Sequence, residues 1–208
     1  MTTTTSPAPE ARDNSLRHLL TSVVYTVITV IALGFIYPLA VWGISLVLFP
    51  HQANGSLIVS NGAVIGSELV GQNFSKPGYF HPRPSAAGKG YDPTSTGGTN
   101  FGPTSKKLID STKAAVDALR KENPDATGPI PADLVSSSGS GIDPAISPAA
   151  AYYQVPRVAK ARGLSQDAVR AIVAAHIVPR QLGILGEPYV NVLDLNRALD
   201  AQGAPTTK

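Results

Sequence analysis

The feature that most restricts this chain is a run of 28 residues, Ser22 to Phe49, with no Asp, Glu, Lys, Arg or His. As a helix rising about 1.5 Å per residue it is roughly 42 Å long, against a bilayer hydrocarbon core of about 30 Å. It reads as one membrane-spanning helix with length left for tilt. Its polar members, Ser22, Thr26, Thr29 and Ser45, carry hydroxyls that can bond back to the helix's own carbonyls. A cleaved signal peptide fits less well. Its apolar core is about 7–15 residues and precedes a small-residue cleavage site, whereas this run ends in Leu48-Phe49-Pro50-His51. Two short helices broken at Pro38 would each be too short to cross. A single helix, kinked or locally loosened at Pro38, is expected.

Flanking charge orients the span. Arg12 and Arg17 precede it, and the next Lys or Arg is Lys76, 27 residues beyond Phe49. The positive-inside rule then puts the N-terminus in the cytoplasm and everything after Pro50 outside. The expected organisation is a short cytoplasmic tail over 1–20, a transmembrane helix over 21–49 and one extracytoplasmic soluble domain over 50–208. Residues 1–15 are low in complexity and read as a disordered tail. The chain has no cysteine, so the outer domain must be held by its core alone. After the span, 15 basic and 12 acidic residues are interspersed, a solvated surface rather than a nucleic-acid footprint.

The domain reads as α/β or α+β. Ser56–Ser60 and Ala63–Ser67 are β-prone runs joined by Asn61-Gly62, a hairpin signal, with Glu68–Phe74 extending the second strand. Residues 75–103 form a long loop, with Tyr79, Phe80, Tyr91 and Phe101 as aromatic anchors. An amphipathic helix is expected over Thr104–Glu122, with Leu108, Thr112, Val116 and Leu119 on its apolar face and Ile109 and Ala115 beside them. Asn123-Pro124 stops it. Pro129–Val135 reads as a short strand. Ser147-Pro148 opens another helix, which Pro156 restarts or kinks and Gly163 ends. Ser165 caps a third helix bearing Val169, Ile172 and Val173. The last begins near Asn191, carries Val192, Leu195, Ala198 and Leu199, and ends at Gly203.

Most catalytic signatures are missing. Gly88-Lys89-Gly90 lacks both ends of a P-loop, no Lys has Ser three residues before it, and Gly139-Ser140-Gly141 lacks the outer spacing of a nucleophile elbow. His18, His51, His81 and His176 each lack a second ligand at helical spacing, so no metal site is expected. Two loops stand out. In Tyr79–Ser85 the Pro-Arg-Pro run holds Arg83 rigidly, either to satisfy loop carbonyls or an Asp, or to touch a partner. The Ser136–Gly141 loop offers hydroxyls and amides, either as a capped turn before Asp143-Pro144 or as an anion cradle. Gly34 and Gly43 are the candidate positions for close approach to another spanning helix, with Pro38 shaping the helix between them.

Several motifs together carry a resemblance. They are Pro50-His51-Gln52-Ala53-Asn54-Gly55-Ser56-Leu57-Ile58, Tyr79-Phe80-His81-Pro82-Arg83-Pro84-Ser85, Asn100-Phe101-Gly102-Pro103-Thr104, and Pro131-Ala132-Asp133-Leu134-Val135 running through Ser137-Ser138-Gly139-Ser140-Gly141-Ile142-Asp143-Pro144. Ile146–Ala150, Tyr153–Ala159 and Leu182-Gly183-Ile184-Leu185-Gly186-Glu187-Pro188 complete the set. Over residues 20–203 the chain resembles the C subunit of the bacterial Kdp-type potassium-transporting ATPase. The family's usual His-Thr pair stands here as His176-Ile177. The resemblance implies a non-catalytic, single-pass inner-membrane subunit of a high-affinity potassium uptake pump, needed for assembly and regulation. Its implied partners are a channel-like potassium-binding subunit, an ATP-hydrolysing subunit and a small hydrophobic subunit. Gly34, Pro38, Gly43, Tyr79, Phe80 and Arg83 are the expected partner contacts. The resemblance also implies a catalytic chaperone raising the ATP affinity of the hydrolysing subunit, with Ser138, Gly139, Ser140, Gly141 and Gln154 at the matching nucleotide positions. The charge reading puts those residues outside, beyond cytoplasmic ATP, so no resident cofactor is expected. The alternative from another class is a membrane-anchored enzyme or independent nucleotide-binding protein.

Overall fold

The computed structural model describes residues 14–60 and 62–202. They divide into two compact units that meet between Asn54 and Gly55. Most of the tail expected to be disordered, Asn61 of the hairpin turn, and Gly203 lie outside the described residues.

The first unit is a helix of 34 residues, Ser15–Leu48, about 51 Å long. It starts seven residues before the uncharged run. Asn14 caps it, its side chain accepting from Arg17 N at 3.4 Å. Ser22 Oγ and Ser45 Oγ donate to the carbonyls four residues back, of His18 and Val41, at 2.8 Å each, so these hydroxyls are satisfied without water. The helix comprises α1 (Ser15–Ile31), a π turn (Ala32–Ile36) and α2 (Tyr37–Leu48). The loosening expected at Pro38 is this π turn. Proline has no N–H and its ring presses on the carbonyl four residues back, here that of Gly34. The wider turn just before it relieves that contact, and Tyr37 N–H donates to the Ala32 carbonyl five residues back. None of its residues is buried, as expected of a helix whose solvent is lipid. A short helix α3 (Pro50–Ala53) follows directly.

The second unit is a mixed helix and sheet domain. Strands β1 (Leu57–Ser60) and β2 (Ala63–Ser67) form the expected hairpin, with a bulge between Ile58 and Val59. Glu68–Phe74 does not extend it. The chain turns at once, with Val70 N donating to Ser67 O at 3.3 Å. No helix or strand occurs from there to α4 (Lys106–Glu122). Pro129–Val135 is a 3₁₀ turn over Ala132–Leu134 instead of a strand. Pro129 and Pro131 have no N–H to give a ladder, and Asp133 is engaged elsewhere. Its carboxylate accepts from Ser147 N at 2.7 Å and Ser147 Oγ at 3.2 Å, while Ser147 Oγ caps α5 by accepting from Ala150 N at 3.1 Å.

Helix α5 (Pro148–Arg162) runs unbroken through Pro156 and ends at Gly163 in the left-handed conformation. It is the centre of the domain, buried on most of its circumference through Ala150, Ala151, Val155, Val158 and Ala159. Helix α6 (Gln166–Ala175) packs on it through Val169 and Val173, and α7 (Val192–Ala201) adds Val192, Leu195 and Leu199 to the same core. A three-stranded antiparallel sheet, ordered β3 (Ala145–Ile146), β5 (Tyr189–Asn191), β4 (Ile177–Val178), completes it. Ile146 and Ile177 flank Val190 in register. Phe80 is fully buried in this core, whereas Phe101, expected as an anchor, and Ile109 of α4 are exposed.

Candidate functional site

An irregular backbone segment inside a domain must find partners for its N–H and C=O groups. For Lys76–His81 these come chiefly from side chains on two helices, α5 and α7. Asn196 of α7 accepts from Phe80 N at 2.8 Å and donates to Phe80 O at 3.0 Å. Gln154 of α5 treats the next residue alike, accepting from His81 N at 2.8 Å and donating to His81 O at 3.1 Å. Each side-chain amide thus acts as a one-residue strand partner. Arg157, one turn along α5, donates to the Pro77 and Tyr79 carbonyls at 2.6 and 2.9 Å. Its Nε reaches Asn123 Oδ1, at the end of α4, at 3.0 Å. Arg162 donates to the Gly78 carbonyl at 2.6 Å, pairs with Asp200 at 2.8 Å and lies over the Tyr79 ring, 4.8 Å from its centroid.

Electrostatics agree with burial. Arg157 is pulled down to about 10 by desolvation, against the pull of Glu122, and stays charged at neutral pH. His81 sits with Nδ1 3.3 Å from Glu122. Burial first, then the Arg157 charge, hold its pKa below the ordinary histidine value despite that carboxylate.

Gln154 is fully buried. Its Nε2 also donates to Ala150 O at 3.3 Å, and its Oε1 also accepts from Arg157 at 2.6 Å. An amide offers two donors and two acceptor positions, and all four are engaged inside the domain.

The Ser136–Gly141 loop belongs to a second network. Ser138, also buried, caps the turn by accepting from Gly141 N at 2.9 Å, and Ser140 Oγ accepts from Ile142 N at 3.3 Å. The Gly141 carbonyl accepts from Ser85 Oγ at 2.6 Å, and the Ser140 carbonyl from Gly97 N at 2.8 Å. Gly141 has φ +72°, and a Cβ there would lie 2.7 Å from the Gly97 carbonyl, so only glycine fits. A Cβ on Gly139, by contrast, would meet nothing within 4 Å. Arg83 pairs with Asp143 at 2.9 Å, the Asp reading of its two expected roles. Its Nε is buried without a partner.

The structure therefore places Tyr79 and Phe80 in the segment that Gln154 holds at His81, and Arg83 on Asp143, next to the Ser-Gly loop that Ser85 bonds. Phe80, expected at a partner surface, is in the core. Sequence reasoning misses Arg162, Asn196, Asn123 and Asp200, and takes in Arg157 only as part of a motif. Their signal is a polar residue interrupting an apolar helix face, as Asn196 does between Val192, Leu195 and Leu199. A cleft of about 420 Å³ beside this region is lined by His81, Arg83, Lys89, Tyr91 and Glu122 among others, charges of both signs. No cluster able to hold a metal occurs among the described residues.

The family model for the K+-transporting ATPase c chain matches residues 19–201, taking in nearly all of the long helix and the whole described domain. The chain belongs to that family. The potassium-transporting ATPase KdpC subunit of Koribacter versatilis is 51% identical over 194 residues, covering 92% of this chain and 99% of its own length. The subunits of the same name from Acidobacterium capsulatum and Rhodopseudomonas palustris are 55% and 58% identical, over 89% and 86% of this chain and 98% and 94% of theirs. This chain is thus a subunit of a potassium-transporting ATPase, with one helix fit to span the membrane. The Tyr79–Ser85 motif supplies the clamped residues Phe80 and His81, and the Tyr153–Ala159 motif supplies Gln154 and Arg157 that hold the segment, while Asn196 of α7 holds Phe80.

Proposed function

We propose that this chain is a non-catalytic assembly and regulatory subunit of the pump. Its helix anchors it once in the inner membrane with the N-terminus in the cytoplasm. Its domain lies outside and packs on the channel-like potassium-binding subunit, in a complex completed by the ATP-hydrolysing subunit and a small hydrophobic subunit. The observation that carries this reading is the engagement of Gln154 and the Ser-Gly loop in internal hydrogen bonds. Gln154 holds the Lys76–His81 segment and the Ser-Gly loop ties to Ser85 and Gly97, and neither offers a phosphate cradle backed by a cation. The charge asymmetry across the span supports the orientation.

Because the chain has no cysteine, topology is read with single introduced thiols. Lys89→Cys and Lys107→Cys, both at exposed positions, should react with an impermeant maleimide on spheroplasts. Labelling only after the inner membrane is broken would reverse the orientation. For the role, the domain should bind Mg-ATP no tighter than about millimolar, only about −4 kcal/mol, by calorimetric titration of the full-length chain in detergent. Micromolar binding abolished by Gln154→Ala would restore the nucleotide-chaperone reading.

A further inference from the structure

The Leu182–Pro188 motif is untouched by the reading above. It forms the connection, residues 179–188, between β4 and β5. Its backbone is set by its own main chain. Gln181 and Leu185 exchange both hydrogen bonds at 2.9 Å, Gly183 N donates to Arg180 O at 3.1 Å and Ile184 N to Gln181 O at 3.2 Å. Arg180 and Glu187 are ion-paired at the neck. Leu182 has φ +53°, a left-handed conformation that branched and bulky residues avoid and that recurs where function requires it. The result is a preformed knob with its apolar side chains outward. Leu182 is 88% exposed, Ile184 74% and Leu185 54%. Below them Val178 and Tyr189, partners across the two strands, continue the apolar surface.

From this geometry we infer that the knob is a docking plug. It inserts into an apolar, uncharged socket on the outward face of a membrane-spanning partner subunit of the pump. The inference rests on the proposed packing of the domain on such a subunit and names the surface that does it. Three features favour a protein socket. Residues 179–188 contain no Trp, Tyr, Phe or Lys, and their one cation, Arg180, is neutralised by Glu187. Tyr189 stands at the base of the knob, outside its three most exposed side chains, so the tip neither holds an anionic headgroup nor carries an interfacial aromatic. A lipid surface imposes no shape, whereas a fixed backbone favours a complementary pocket by removing the ordering cost of binding. A second copy of the chain is also a poor fit. A stable dimer buries roughly 800 Å² per partner, more than three aliphatic side chains supply, so the knob is an anchor within a larger interface made by another protein.

The test uses the whole pump in membranes. Leu182→Cys, the only thiol in this chain, is loaded with a benzophenone maleimide and illuminated. The expected product is an adduct between this chain and a membrane-spanning pump subunit. Leu182→Asn combined with Ile184→Glu should lower the co-purified partner at least tenfold, while Leu182→Met keeps it. Asn accepts the left-handed backbone, and both side chains are exposed, so the domain's circular dichroism should not change. Adducts to lipid alone, adducts to a second copy, or undiminished co-purification would overturn the plug. The same reagent at Lys89→Cys and Lys107→Cys separates this from the parent reading. If those positions cross-link to a pump subunit and Leu182→Cys does not, the plug alone is wrong. If none of the three does, the packing of the domain on the pump is wrong as well.

Discussion

Two segments of the domain lack regular structure over most of their length yet are rigid, and they are rigid for opposite reasons. Lys76–His81 enters the domain at Gly78 and Phe80, which are buried, and owes its shape to side chains of Gln154, Arg157, Arg162 and Asn196, residues 73 to 116 positions away from the groups they bond. Residues 179–188 owe theirs to their own main chain and turn Leu182, Ile184 and Leu185 to solvent. In the first, polar side chains lie where apolar ones are expected; in the second, apolar side chains lie where polar ones are expected. The first anomaly is internal architecture, because every such group has a partner inside. The second has no internal partner and so points outward.

The contrast is broken most severely at Arg157. Arg157→Met keeps the stem and removes the donor from three otherwise distant acceptors, Pro77 O, Tyr79 O and Asn123 Oδ1. Leaving buried acceptors unpaired costs about 1–3 kcal/mol each, with partial recovery from no longer burying a charge. The full-length chain in detergent should lose about 3–5 kcal/mol in guanidinium denaturation. A loss under about 1 kcal/mol would mean that the segment is not held by this clamp.

Asn196→Ala should come next, at about 2–3 kcal/mol by the same measurement. It strips both the N–H and the C=O of Phe80 of their partner inside a core that water does not reach. Asn196→Asp separates shape from hydrogen bonding, since a carboxylate keeps the acceptor for Phe80 N but has no donor for Phe80 O.

How much of this is legible in the sequence depends on the range of the interaction. The span, the Asn-Gly hairpin, Ser147 and Ser165 as caps and Asn191 before the last helix all follow from rules that act over a few residues. Asn191 shows the rule at work, accepting from Leu193 N at 3.0 Å and Asp194 N at 3.3 Å. The two-residue strands β3 and β4 carry no period at all, and exist because Val190 draws Ile146 and Ile177 to either side of it. Residues 75–103 are readable as a loop, but what holds them is not, because Gln154 and Asn196 meet that loop only in the folded chain. Pro129–Val135 misleads because its apolar residues suggest a strand, while the missing N–H groups of its prolines and the pull of Asp133 on Ser147 decide for a turn. Of the candidate site, the chain positions are legible and the roles are not. The internal partners of Gln154 and Ser138, His81 and Arg157 for the one and Gly141 for the other, are not legible in the sequence.

A smaller effect concerns pH. The folded state holds the His81 pKa below the 6.5 of the free side chain, through burial and then Arg157. The unfolded chain therefore takes up a proton at His81 more readily than the folded one. The stability this represents is fully present above pH 6.5 and is lost as pH falls from there toward the folded value. The slope for one proton is at most about 1.4 kcal/mol per pH unit. Denaturation midpoints at about pH 7.5 and about pH 5.5, on either side of the free histidine value, should differ more for the natural chain than for His81→Gln. Equal differences would mean that Glu122, 3.3 Å away, compensates the penalty when the imidazole is protonated.

The smallest expected change is the most discriminating one. Leu182→Asn removes an aliphatic side chain that is 88% exposed, so almost no apolar burial is lost within the chain. Asn also tolerates the left-handed backbone better than Leu, which relieves a strained position. The net effect on unfolding should lie within about 0.5 kcal/mol and can be slightly stabilising. Asn196→Ala in the buried core and Leu182→Asn on the exposed knob are then both single changes, yet one loses several times what the other does. If Leu182→Asn instead destabilised the isolated full-length chain by about 2 kcal/mol, the knob would be covered by the chain's own residues in solution. Its exposure would then say nothing about a socket elsewhere, and the contrast between a segment built inward and a segment built outward would collapse.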